Sequence, residues 1–306
     1  MGHDHHHSHG ITATGKHRKR LVAVLAITLG VVLVQVAGAV VSGSLALLAD
    51  AGHMLSDAAG VFIALLAAWI AARPASDQRT YGYQRAEVLA ALANALILIV
   101  ISVVIFIEAI RRFGETPEIR TDVMLFAAFV GAGANFVSLL ILRGAQKESL
   151  NVRGAYLEVL GDLLGSFAVI VAAVVIMATD FRAADPIASI LISLMILPRA
   201  WHLLRDVVDV LLEASPKGVE VQMIREHILS VEGVVAVHDI HIWTITSGVP
   251  VFSAHVVVED RILDATGADR LLDQLGSCLG SHFDTEHCTF QLEPAGHSAH
   301  ETHQHA

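Results

Sequence analysis

Apolar residues fall in six long runs, at 21–41, 45–72, 87–110, 121–142, 150–178 and 185–205. The breaks between them centre on Ser42-Gly43-Ser44, 73–85, 111–120, 143–153 and 179–184. A helix needs about 20 apolar residues to cross the hydrocarbon of a bilayer, so each run predicts a membrane-spanning helix. In the first run, only Thr28 and Gln35 carry polar side chains. Gly131, Gly133, Gly161 and Gly165 suit close helix packing in lipid. Asp185-Pro186 reads as the start of span six, a capping carboxylate followed by Pro at the first helical position. Lys16, Arg18, Lys19 and Arg20 precede the first run as they would a signal peptide. That run exceeds a signal core of about 7–15 residues and further spans follow, so it reads as a retained helix.

Beyond Glu213 the period changes. Val219–Leu229 has the spacing of an amphipathic helix, and Val234–Thr246 and Val251–Val258 alternate like strands, with Ser247-Gly248 as the hairpin turn. Ala268–Leu279 predicts a second helix and Cys288–Leu292 a last strand. The expected architecture is an all-α six-helix transmembrane bundle followed by a small α+β domain of order αββαβ. In domain terms, 1–20 is a His-rich tail, 21–205 the bundle, 206–295 the α+β domain and 296–306 a second His-bearing tail.

Composition agrees. Charged residues make up 16% of the 306, against about 25% in a soluble domain, and hydrophobic residues 54%. The formal net charge of -10 is concentrated late in the chain. Glu213–Glu293 holds 13 acidic residues and four basic ones, which excludes nucleic acid as a partner. Lys and Arg set the orientation: the amino tail and the second and fourth loops carry ten, the first, third and fifth loops four. Both termini are therefore expected in the cytoplasm. There Cys278 and Cys288 would stay reduced and form no disulfide framework.

Ionisable residues inside a membrane are expensive and mark function. Span two holds Asp50, His53 and Asp57, and span five holds Glu158 and Asp162. Residues four apart share a helix face, so His53 projects with Asp57 and Glu158 with Asp162. If the two spans run antiparallel, His53 faces Asp162 and Asp57 faces Glu158. Three carboxylates in a low dielectric repel one another unless a cation or protons neutralise them. Imidazole with carboxylates suits zinc, and His53 also takes up protons near neutral pH. Competition between metal and protons is the basis of an antiporter. No Arg or Lys of spans two and five is placed to pair with these groups. For Asp50, capping or packing stands beside a direct role.

The segments Leu47–Asp57 (LLADAGHMLSD) and Tyr156–Ser166 (YLEVLGDLLGS) resemble the second- and fifth-helix signatures of the cation diffusion facilitator family. The resemblance runs through Tyr81–Glu87 (YGYQRAE) to Val237–Trp243 (VHDIHIW) and Ser253–Val256 (SAHV), covering about residues 16–294. It implies a homodimeric metal/proton antiporter, exporting a divalent cation through a site on His53, Asp57, Glu158 and Asp162, with a metallochaperone-like cytoplasmic domain. Neither an enzyme nor a prosthetic group is implied. Zinc members of the family usually carry His where this chain has Glu158. Zinc stays the first cargo expected, and the harder, more anionic site admits manganese, iron(II), cobalt and cadmium. The second loop lacks the Asp/His cluster that some relatives use for a further metal, and Asp77, Tyr81 and Tyr83 do not replace it.

The same resemblance puts a cytosolic metal on His238, His255 and Glu293, with His282, His287 and Cys288 as candidate additions. His241 is read as packing beside Trp243. The tails, with His3, His5, His6, His7 and His9 at one end and His297, His300, His303 and His305 at the other, read as native metal-collecting segments. A metallohydrolase would need an open metal position beside a general base, and no His-Glu-x-x-His motif occurs. A membrane-bound metal sensor would not require His53 and Asp162 deep in lipid. A bacterial inner membrane is the expected location.

Overall fold

The computed structural model describes residues 13–113, 118–144, 150–246, 248–283 and 287–297. Six long helices come first: α1 Ala13–Ser42, α2 Leu45–Ala71, α3 Ala86–Arg112, α4 Thr121–Leu142, α5 Leu150–Thr179 and α6 Ala184–Leu211. Among the described residues, five of them, α1 and α3 to α6, have segments long and apolar enough to cross a membrane. The side chains of α2, which is 27 residues long, are described only in part. The chain packs as two units, one of the described residues up to Leu65 with Ala93–Leu204, the other of Leu66–Leu92 with the described residues from Arg205 on.

The first unit is turned outward in the way lipid demands. Leu33, Val40, Phe126, Phe167 and Leu191 are exposed, while Gln35, Asp50, His53, Asn135, Asp162 and Ser166 are buried. Water would favour the opposite arrangement. Small residues make the close approach of α4 and α5 possible: Ala127 and Ala128 pack in one cluster with Val169, Ala172 and Ala173. At their N-terminal ends α2 and α6 are tied by a carboxylate. Asp185, in the first turn of α6, accepts hydrogen bonds from Ser44 Oγ (2.5 Å), Leu45 N (2.8 Å) and Ala46 N (3.2 Å). The sequence suggested that Asp185 caps its own helix; it caps α2 instead. The first amides of any helix lack intrahelical acceptors, and here a neighbouring helix supplies one.

The second unit contains α7 Val221–Leu229, β1 Val234–Thr244, β2 Pro250–Val258, a short 3-10 turn Asp260–Ile262, α8 Ala265–Phe283 and β3 His287–Pro294. The order αββαβ is the expected one. The sheet order is β1-β2-β3, with β1 and β2 antiparallel and β2 and β3 parallel. A parallel pair requires a crossover, which α8 provides. Phe252, Ala254, Val256 and Val258 of central β2 are buried with Ile224 and Ile228 of α7 and Leu271 and Leu275 of α8. Of the expected hairpin turn, Ser247 lies outside the described residues. Gly248 has φ +79°, in the left-handed region that glycine enters without strain. Strand β1 breaks its alternation at Asp239, where φ is +48° and the register shifts between His238 and His241. Asp is among the few non-glycine residues that tolerate that conformation.

Candidate metal centres

Helices α2 and α5 bring three of the expected side chains together. Nε2 of His53 lies 3.6 Å from Oδ2 of Asp57, one turn along α2, and 3.6 Å from Oδ1 of Asp162 on α5. One ligand atom from each of His53, Asp57 and Asp162 lies within 4.8 Å of the others. Donors bound tetrahedrally to zinc at about 2.0–2.1 Å stand roughly 3.3 Å apart, so His53 need approach each carboxylate by only a few tenths of an ångström. His53 and Asp162 are buried and Asp57 nearly so, and His53 Nδ1, Asp57 Oδ2 and Asp162 Oδ1 have no hydrogen-bond partner. A cation suits such a place, because buried carboxylate oxygens without partners are costly.

Glu158 stands apart from this cluster. Its Oε1 is bonded to Arg199 of α6, and the two side chains are each nearly half exposed. A search for a counterion within the two site-bearing spans misses Arg199, which lies in the sixth. Its position inside span six was the available signal, because a cation there is as expensive as an anion. Two cavities flank the cluster. One of about 340 Å³ is lined by Thr28, Asp57, Glu158 and Asp162, the other, of about 380 Å³, by Asp57, Asn94, Glu158 and Arg199.

Asp50 belongs to a separate network. Its Oδ2 accepts from Gln35 Nε2 (2.7 Å) and Ser166 Oγ (2.8 Å). Gly165 and Gly131 leave the room for it: a Cβ on Gly165 would collide with Asp50, and one on Gly131 with Gln35. Packing thus explains Asp50 without a ligand role. On α4, Asn135 and Ser138 are buried with side-chain atoms that have no hydrogen-bond partner; neither stood out in the sequence.

A second cluster lies in the α+β domain. His238 of β1 and His255 of β2 are direct partners in register, their ring centroids 5.1 Å apart. Glu293, buried near the end of β3, approaches both: Oε2 is 3.2 Å from His238 Nε2 and Oε1 is 2.8 Å from His255 Nδ1. One ligand atom from each of the three lies within 4.8 Å of the others. The bulge at Asp239 serves this cluster. It brings Oδ2 within 2.9 Å of His238 Nδ1, and a carboxylate there orients the ring with Nε2 towards Glu293. His287 instead meets the ring of Tyr81, with centroids 6.1 Å apart. Cys288 packs against the domain core, and His241 is exposed, opposite Ser253. The side chain of His282, residues 1–12 and residues 298–306 lie outside the description.

Comparison with known proteins agrees with this layout. Residues 21–212 match the family model described as the cation efflux transmembrane domain, and residues 216–295 the cation efflux protein cytoplasmic domain. The chain is 39% identical to a cadmium, cobalt and zinc/H(+)-K(+) antiporter of Bacillus velezensis, over 97% of this chain and 94% of that one. It is 40% identical to the zinc transporter ZitB of Escherichia coli, over 96% and 93% of the two chains. It is also 40% identical to the metal cation efflux system protein CzcD of Cupriavidus metallidurans, over 96% and 91%.

Proposed function

Because this chain belongs to the cation efflux family, we propose that it exports a divalent transition metal, zinc before others, in exchange for protons. The observation that carries this reading is the convergence of His53, Asp57 and Asp162 between two membrane helices. Imidazole and carboxylates are zinc donors, and the same atoms bind protons, so each species displaces the other. Metal entering from the cytoplasm releases protons from His53 and the two carboxylates. Helix rearrangement then exposes the loaded site to the far side, where protons return and the metal leaves. The chain's relatives, a zinc transporter and a cadmium, cobalt and zinc/H(+)-K(+) antiporter, support cargo and counter-ion alike. Glu158, the fourth residue of the expected set, would admit manganese, iron(II), cobalt or cadmium as second cargo where it is released from Arg199 to the ion.

This function sets the protein in a bacterial inner membrane, with both termini in the cytoplasm and the α+β domains paired in a homodimer. In sealed vesicles of purified protein, zinc should move against its gradient when a pH gradient is imposed and stop when a protonophore collapses it. Zinc movement indifferent to the protonophore would contradict proton exchange.

His238, His255 and Glu293 are proposed as a cytosolic metal site, distinct from the cargo site. Glu293→Ala removes the carboxylate that approaches both imidazoles. Zinc bound per chain at equilibrium should fall by about one ion, since two imidazoles alone hold zinc weakly. An unaltered stoichiometry would remove the site.

A further inference from the structure

Glu158, which lines both cavities beside the cargo cluster without joining it, is the carboxylate with a resident cation. We propose that Arg199 sets the metal preference of the transport site by holding Glu158 as its own counterion, leaving His53, Asp57 and Asp162 to meet the cargo. This inference rests on the transport reading above and deepens it.

Glu158 lies one turn before Asp162 on α5 and lines both flanking cavities, so nothing in its placement keeps it from a bound ion. What holds it is the bond to Arg199. Among the described residues lining those two cavities, Arg199 is the one basic side chain. A guanidinium stays charged at every physiological pH, so its hold on Glu158 persists while protons come and go at the cargo site. With Glu158 neutralised, a divalent ion meets two carboxylates and one imidazole, a matched charge and a donor set suited to zinc. With Glu158 released, a third carboxylate joins. That favours harder ions, which take six or more oxygen ligands and gain more from an added carboxylate than four-coordinate zinc does.

The test is competition between zinc and manganese for transport by the full chain in vesicles. Arg199→Gln should lower the zinc-over-manganese preference by about tenfold or more, whereas Arg199→Lys, which keeps the charge, should hold it within about threefold. A native ratio in a transporting Arg199→Gln protein overturns the proposal. If Arg199→Gln fails to assemble, zinc binding to Glu158→Gln and to the Glu158→Gln/Arg199→Gln pair decides. The single change leaves Arg199 unopposed beside the site and should weaken binding by about tenfold, and the double change should restore most of it. A double variant binding no tighter than the single one overturns the proposal equally. His53→Ala, measured alongside, separates the two levels. Transport surviving in it removes the cargo site itself, whereas its loss together with a native ratio in Arg199→Gln removes only the role of Arg199.

Discussion

Zinc flux through vesicles carrying His53→Ala should fall to less than about 1% of the native rate, because a lost direct ligand costs more than the 10–100-fold typical of a residue that merely supports one. His53 is the only nitrogen donor of the cluster, and its Nε2 lies 3.6 Å from each of the two carboxylates it joins. Without it the carboxylates face each other in a buried site with no imidazole to complete zinc coordination, and they keep protons instead. Asp162→Asn should be as damaging, since it removes the one ligand that α5 supplies to the cluster. Retained zinc binding at His238, His255 and Glu293 would show that the variants are folded. Flux above about a third of native in His53→Ala would mean that the ion is held elsewhere, since first-ligand loss is rarely that mild.

The largest loss of stability is expected from Asp185→Ala. Its carboxylate takes hydrogen bonds from the Ser44 hydroxyl and from the amides of Leu45 and Ala46, and Asp185, Ser44, Leu45 and Ala46 are all buried. Removing the acceptor strands three donors where water does not reach, at about 1–3 kcal/mol each, so a loss of at least about 3 kcal/mol is expected. The melting temperature of the purified protein in detergent should drop accordingly. Asp185→Asn keeps one acceptor oxygen and should lose about half as much. A melting temperature unmoved by Asp185→Ala would mean that α2 finds other partners for its first amides.

These two residues show what the sequence revealed and what it hid. His53 and Asp57 share a face by helical spacing alone, and polarity inside an apolar run marked them along with Asp162 and Glu158. Spacing cannot say what stands across the groove. The cation beside Glu158 comes from α6, 41 residues away, and the amides that Asp185 caps lie about 140 residues away. The six spans were legible because lipid permits so few alternatives to a long apolar helix. The sheet was legible because its strands alternate on either side of a glycine turn. The kink at Asp239 was not, since a bulge adds one residue without altering composition. His238 and His255 were suggested by resemblance, and strand register is what brings them opposite each other. Asn135 and Ser138 gave no signal, because neutral polar residues are common in packed membrane helices.

One ion is proposed to sit between α2 and α5 on His53, Asp57 and Asp162. Crystals of the purified protein grown with zinc and measured at the zinc absorption edge test this placement directly. An anomalous peak is expected about 2.0–2.2 Å from His53 Nε2 and from a carboxylate oxygen of both Asp57 and Asp162. Peaks confined to His238, His255 and Glu293, with His53 and Asp162 turned away from each other, would contradict it.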